Sequence, residues 1–284
     1  MKKRNKAQIA VFIIIALVIV IAVAIYLLTN KTNDQETFNL LPFNQQVEVL
    51  HQLIRACMIQ TYEQSLDNIG MQGGYYNEPL TPYLTLGIQN IPLYHLGKML
   101  YVPSLDFIEE EIAASVELRE TDCLSLINGK NIDYSYNYRA PTISIQNESV
   151  IFTPHIDLTL KKDENTQVIS FETAPIEIIS NLKEMNRFAS YITLEHELKK
   201  GSLCISCFTE ITNTNKLKVE FSNEIDSILL VKIRDYSGNY HPIEYSFALA
   251  ELTTYDNNEF LVDILQNTQS ELNEEDAISQ PPSI

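Results

Sequence analysis

One unbroken apolar block constrains this chain more than any other feature of its sequence. Residues 9–28 read IAVFIIIALVIVIAVAIYLL and contain no charged residue, glycine or proline. As a helix this block is about 30 Å long, which matches the hydrocarbon thickness of a bilayer. Its fifteen Ile, Val, Leu and Phe residues give a transfer free energy of order −5 kcal/mol on insertion scales. The block therefore predicts a transmembrane helix.

The charges on either side of this block predict its orientation. Four cations stand among residues 1–8, whereas Lys31 is the only cation that closely follows the block. Because cationic flanks stay in the cytoplasm, we expect residues 1–8 inside and the chain after residue 30 outside. A cleaved secretory signal is the alternative, but the block exceeds the usual signal core of about 7–15 residues and ends without a small-residue cleavage site. We therefore expect an uncleaved signal anchor.

The net charge limits the possible partners. The chain has 284 residues, with 20 Lys+Arg against 37 Asp+Glu, and a formal net charge of −17. Because a protein that neutralises phosphates needs a basic surface, no nucleic-acid partner is expected. Without the four N-terminal cations, 16 positive and 37 negative charges remain, so the external part carries −21. Anionic lipid head groups repel such a surface, and we expect a domain that stands off the membrane.

The ectodomain is predicted to be α+β. Apolar residues recur with helical spacing over 44–69, from Ser104 to about Cys123, and over 174–200. The segment 75–102, rich in Pro, Tyr and Leu, favours short extended pieces and turns. Period-two alternation predicts strands at 143–145, 150–152, 156–160, 168–173, 217–221, 228–233 and 245–250. Together these elements predict amphipathic helices on an antiparallel sheet.

The same patterns divide the chain into segments. Three of only eight glycines fall within residues 70–74, which predicts a tight backbone turn there. The expected segments are a cytoplasmic basic segment 1–8, a transmembrane helix 9–28, a linker 29–42, a helical subdomain 43–130, an α+β subdomain 131–265 and an acidic disordered tail 266–284.

Four cysteines lie in the external part: Cys57, Cys123, Cys204 and Cys207. Oxidising surroundings favour disulfides, and four cysteines allow three connectivities. We expect Cys57–Cys123, which would join two successive predicted helices, together with the local pair Cys204–Cys207. The Cys204-Ile-Ser-Cys207 spacing also occurs in thiol oxidoreductases, which need a helix start after the preceding strand. Here a predicted helix ends at 199–201 instead, so we favour a structural disulfide between Cys204 and Cys207.

Candidate site residues are few, and no catalytic, cofactor or metal site is expected. One CxxC pair supplies too few zinc ligands, and the five histidines show no ligand spacing. The sequon Asn147-Glu148-Ser149 predicts glycosylation at Asn147. Clustered tyrosines offer amphipathic contact area for recognition, although they could instead pack their segment against the helices. The tyrosines of this candidate binding surface are Tyr75, Tyr76, Tyr83, Tyr94 and Tyr101.

Several short motifs occur together in the chain. They are Lys6-Ala-Gln-Ile-Ala-Val-Phe-Ile-Ile-Ile, Gly70-Met-Gln-Gly-Gly-Tyr75, Val102-Pro-Ser-Leu-Asp106 and Cys204-Ile-Ser-Cys-Phe-Thr-Glu210, with Cys57 and Asp122-Cys123. The combination resembles a group of N-terminally anchored surface proteins of small-genome, DPANN-type archaea. The resemblance implies an archaeal cell-surface location and supplies no activity or catalytic residues.

The N-terminus also resembles the processing site of archaeal type IV pilins, where a basic and a small residue precede the cut, as in Lys6-Ala7-Gln8. Two features depart from that pattern. Phe12 stands where a pilin has Glu, and a polar stretch over 30–35 followed by Pro42 interrupts the helix that a pilin extends.

Three functions follow from these observations. The leading one is a single-pass, membrane-anchored cell-surface protein that is not an enzyme and serves in structure, adhesion or partner binding, including self-assembly. The alternatives are a pilin-like filament subunit and a membrane-tethered thiol–disulfide oxidoreductase that uses Cys204 and Cys207.

Overall fold

A computed structural model describes residues 38–79, 81–200, 202–204, 208, 216–225, 228–237 and 242–250. Within these ranges, none of the helices is both long and apolar enough to cross a membrane. The predicted transmembrane block 9–28, its flank 1–8 and the acidic tail 266–284 all lie outside the described residues.

The helices α1, α2 and α3 run over Phe43–Met71, Leu105–Glu120 and Leu182–Leu198. The first two confirm the helices predicted over 44–69 and from Ser104. Ser104 caps α2, because its Oγ accepts a hydrogen bond from the backbone N–H of Phe107 at 3.2 Å. A 3-10 helix over Thr121–Ile127 follows α2 directly.

The strands, in chain order, run over Tyr83–Leu86 (β1), Gln89–Leu96 (β2), Met99–Leu100 (β3), Asp133–Ile145 (β4), Ser149–Lys162 (β5), Asn165–Ser170 (β6), Ile176–Ile179 (β7), Leu217–Ile225 (β8), Ile228–Asp235 (β9) and Ile243–Ala250 (β10). A six-stranded sheet has the order β1-β2-β10-β9-β8, with β3 also paired to β2. A four-stranded sheet has the order β4-β5-β6, with β7 paired to β5. The α+β class is therefore confirmed.

Two expectations about these elements are wrong. The six-stranded sheet is not wholly antiparallel, because β10 pairs with β2 in parallel. A short hairpin forces the two strands it joins to be antiparallel. Because no hairpin joins β2 and β10, the local sequence does not determine their relative direction. The predicted helix over 174–200 is a strand in its first part, since β7 pairs antiparallel with β5. Ile176 and Ile178 are buried there while their neighbours are exposed, which is the period of a strand.

The chain divides into two compact units. Unit 1 comprises Met1–Ala56, Cys123–Asn137 and Asp157–Ile169, and unit 2 comprises Cys57–Asp122, Tyr138–Ile156 and Ser170–Ile284. Each unit is assembled from separate stretches of the chain. The subdomain bounds 43–130 and 131–265 stay a prediction.

In unit 1, the side chain of Gln46 connects the start of α1 to the preceding turn. It is fully buried, and its Nε2 donates to the carbonyl oxygens of Phe38 at 3.0 Å and Leu41 at 2.9 Å. Its Oε1 accepts from Lys162 Nζ at 3.0 Å. Both the NH₂ group and the carbonyl oxygen of a buried amide need hydrogen-bond partners. These contacts therefore hold the segment before α1 in place.

In unit 2, helix α3 packs against β2, β9 and β10. One core cluster lies on this sheet and is made of aliphatic residues from its central strands: Ile91, Leu93, Leu96, Ile228, Leu230, Ala248 and Ala250. Between β8, β9 and β10, Arg234 pairs with Glu244 at 2.9 Å and with Glu220 at 3.0 Å. The hydrogen bond from Lys218 lowers the pKa of Glu220 below its ordinary value. Such partly exposed pairs add little stability and keep this part of the sheet polar.

Candidate functional site

The hydroxyl of Tyr94 belongs to a buried chain of hydrogen bonds in unit 2. Tyr94 Oη donates to the carbonyl oxygen of Gly73 at 2.6 Å and lies 2.7 Å from Tyr245 Oη. Because a phenol carries one proton, Tyr245 is the donor to Tyr94. Asn186 Nδ2 donates in turn to Tyr245 Oη at 3.2 Å and to the carbonyl oxygen of Pro103 at 3.1 Å. Burial raises the pKa of Tyr245 to about 12, so these phenols are neutral structural groups.

The other tyrosines of the candidate binding surface are partly or wholly covered. Tyr75 is 5 % exposed and packs edge-on against Phe107, with ring centroids 5.2 Å apart. Tyr76, Tyr83 and Tyr101 are half-buried. As a correction to the sequence-based surface, Tyr75 and Tyr94 cannot contact a partner in the folded protein, because they face the core. Three of the five tyrosines keep accessible area.

Three large aliphatic side chains within residues 75–102 are exposed to solvent. Ile88 is fully exposed in the turn between β1 and β2, and Met99 and Leu100 in β3 are 61 % and 46 % exposed. The strand pairing places them apart, since Leu86 lies opposite Gln89 at one end of β2 and His95 lies opposite Leu100 at the other. The segment therefore presents two separate apolar spots and no continuous aromatic surface.

The sequon asparagine lies in the tight turn between β4 and β5. Asn147 is exposed, and its Oδ1 accepts a hydrogen bond from Lys183 Nζ at 3.0 Å. An exposed turn is a position that a glycosylating enzyme can reach.

A buried pair of histidines lies where the end of α3 meets β2. His95 and His196 are 2 % and 4 % exposed, and their Nδ1 atoms are 3.2 Å apart. The other nitrogen of His95, Nε2, lies 2.6 Å from Oε2 of Glu197. Sequence spacing missed this cluster because its histidines are 101 positions apart along the chain.

A second buried cluster surrounds the last residue of α2. Glu120 is fully buried, its Oε1 accepts a hydrogen bond from Tyr62, and its Oε2 has no hydrogen-bond partner among the described residues. Burial raises the pKa of Glu120 to about 7, and the hydroxyls of Tyr62 and Tyr138 oppose this shift. The ring of Tyr62 stacks on Phe152 with ring centroids 4.3 Å apart, which fixes the position of the tyrosine beside Glu120.

A surface group formed by β4, β5 and the turn after β6 has the residue types of a nucleophile, a base and an acid. Thr142 Oγ1 lies 2.9 Å from His155 Nε2, and Glu172 Oε1 lies 3.4 Å from His155 Nδ1. Nδ1 is buried but has no hydrogen bond within the described part of the chain. Since a general base needs an acid that orients it by a hydrogen bond, this group does not form a catalytic triad.

The cysteines agree with an oxidised chain. Cys57 and Cys123 are each disulfide-bonded, as expected from sequence. Cys204 is also disulfide-bonded, while Cys207 lies outside the described residues. Among the described cysteines none is free. A thiol nucleophile would first require reduction of a disulfide.

Neither a metal site nor a related protein indicates a function here. Across the described ranges, no three or more His, Cys, Asp or Glu side chains come together as ligands of one ion. Comparison with known proteins finds no match among family models, curated proteins or solved structures.

Proposed function

We propose that this chain is a single-pass cell-surface protein whose ectodomain acts through structural or partner contacts and not through catalysis. The observation that carries the proposal is the uncharged 20-residue block, with cations before it and an ectodomain of net charge −21 after it. A block of this length and composition is stable only across a bilayer or inside a large apolar assembly.

The distribution of charge in unit 1 supports this proposal. Its described residues contain four cations and five carboxylates, a net charge of −1, whereas the described residues of unit 2 contain 11 cations and 20 carboxylates, a net charge of −9. They also include six of the fourteen large apolar side chains that are exposed within the described part of the chain: Leu40, Val49, Leu53, Leu126, Tyr136 and Val168. Nearly neutral, partly apolar surface is compatible with a position close to lipid, whereas strongly acidic surface is repelled from it.

Exposed aliphatic side chains in unit 2 support a role in contacts. Ile88, Met99 and Leu100 are accessible to solvent. Solvent-exposed aliphatic side chains at the tip and edge of a sheet are available for packing against a partner protein or a second copy.

Membrane extraction tests the anchor. The wild-type chain should stay in the membrane pellet after alkaline extraction, and Leu17→Asp with Val18→Arg should release it. The expected reason is that each central charge opposes insertion by about 2.5–3.5 kcal/mol, so two charges outweigh the block's gain of order 5 kcal/mol.

The matched control applies the same residue changes to exposed positions of the ectodomain. Leu198→Asp with Val168→Arg replaces side chains that are 73 % and 60 % exposed, and this variant should remain in the pellet. Release of the wild-type chain by alkali, or retention of the Leu17→Asp, Val18→Arg variant, would contradict the proposal.

A further inference from the structure

Unit 1 leaves four consecutive apolar side chains unburied just before and at the start of α1. They are Leu40, Leu41, Pro42 and Phe43. Gln46 Nε2 holds residues 38–41 against the helix by donating to three of their carbonyl oxygens, yet Leu40 is 84 % exposed. Single exposed leucines are ordinary, whereas an unbroken apolar run at the surface indicates a contact. We call residues 38–43 the entry segment.

Two lysine amino groups lie beside the entry segment. Lys130 Nζ is 5.0 Å from the ring centroid of Phe38. Lys162 Nζ donates to Oε1 of Gln46 at 3.0 Å, and the same amide binds the entry segment through its Nε2. Neither amino group has a carboxylate within ion-pair distance among the described residues. Both positive charges can therefore bind an external anion.

The charge of unit 1 allows this surface to approach lipid. Its described residues carry −1, against −9 for those of unit 2, so the repulsion expected for a strongly acidic surface is weak here. Asp163 and Glu164 follow Lys162 directly, but neither forms an ion pair with it. Exposed apolar side chains flanked by lysines are typical of segments that lie in the membrane interface.

The length of chain before the entry segment limits its distance from the membrane. The apolar block ends at Leu28, and the described chain begins at Phe38. Even along a fully extended chain, Phe38 is at most about 36 Å from the end of the block. A tether this short gives the entry segment a high effective concentration at the bilayer, so a contact too weak to bind a free domain is still occupied.

We propose that the entry segment lies in the head-group layer of the outer leaflet, with Leu40 inserted among the lipids and Lys130 and Lys162 on lipid phosphates. The inference rests on the proposed anchor, because the tether argument presupposes it. The contact is a second attachment of unit 1 to the membrane. It therefore restricts the orientation of unit 1 relative to the bilayer, which the anchor alone does not do.

A fluorophore on Leu40→Cys tests the contact in the full chain. The described cysteines are all disulfide-bonded, so labelling is done without reductant. The labelled chain is reconstituted into vesicles of phosphatidylcholine and phosphatidylglycerol, with or without a nitroxide on the lipid head groups. We expect the nitroxide to quench most of the emission. A blue-shifted but unquenched label would instead place a second copy of the chain on this surface and would overturn the proposal.

Alkaline extraction of the same vesicles separates this inference from the anchor. A chain that stays in the membrane pellet with an unquenched label would overturn the lipid contact and leave the anchor in place. Release of the chain by alkali would overturn both.

The four described cations of unit 1 supply matched variants. Lys130→Gln with Lys162→Gln removes the two beside the entry segment and should lower the ratio of quenched to unquenched label by about 10-fold or more. Arg55→Gln with Lys161→Gln removes the other two and should leave the ratio unchanged. Lys161 projects from the opposite side of β5 to Lys162, and Arg55 is about 18 Å along α1 from Phe43. Equal ratios for the two double variants would overturn the assignment of the lysines to lipid phosphates.

Discussion

Gly73→Ala should lower the free energy of unfolding by about 3 kcal/mol. Gly73 has a φ of +55°, and a Cβ at this position would stand 2.6 Å from the carbonyl oxygen of Ser246 and 2.7 Å from Cγ of Pro92. Left-handed backbone costs an L-residue about 1–2 kcal/mol, and overpacking adds about 1–3 kcal/mol. The backbone of the turn after α1 therefore lies so close to β10 that only glycine fits at position 73 without strain.

Gly87→Ala separates the two contributions. Gly87 has a φ of +66°, but a Cβ there would meet nothing within 4 Å, so only the backbone contribution of about 1 kcal/mol remains. Urea unfolding of both variants, followed by circular dichroism, measures the difference. Equal losses for the two alanine variants would show that the turn does not pack closely against β10.

Glu120→Gln should stabilise the protein at pH 8 and change its stability little at pH 4.5. The pKa of Glu120 is raised by burial from 4.5 to about 7. Between these values the folded protein keeps the proton that the unfolded chain releases. The stabilising contribution is therefore fully present below pH 4.5 and is lost as the pH rises through 7. A shift of this size corresponds to about 3 kcal/mol.

The pH difference within each protein is the quantity to compare. Unfolding in urea at pH 4.5 and pH 8 gives the loss of stability over this range, and the loss should be about 3 kcal/mol smaller in Glu120→Gln than in the wild type. Glu110→Gln, an exposed position on the same helix, should behave as the wild type. An identical loss in wild type and Glu120→Gln would exclude Glu120 as its source.

Local signals made the helices predictable. The stop of α1 follows from the glycines at 70–74, and the start of α2 follows from the hydroxyl of Ser104, which caps the helix as expected. These features act within a few residues of the chain, so the sequence contains them directly. The helical prediction over 176–179 is wrong because its apolar residues fit a helical stripe as well as a strand, and pairing with β5 decides between the two.

The buried clusters depend on contacts that the sequence does not display. His95 and His196 meet because α3 packs on β2, and Tyr245, which satisfies the buried hydroxyl of Tyr94, lies 151 positions away along the chain. The burial of Glu120, in contrast, has a signal in the sequence. It continues the four-residue spacing of Ile112 and Val116 along the buried stripe of α2, and a carboxyl there must be buried.

Membrane topology tests the central claim most directly. The full chain is translated in the presence of microsomes, and the attachment of a glycan at Asn147 and the resistance of the ectodomain to added protease are measured together. The account predicts a glycan that Asn147→Gln abolishes and an ectodomain that protease degrades only after detergent opens the vesicles. An unglycosylated ectodomain that protease degrades in intact microsomes would contradict it.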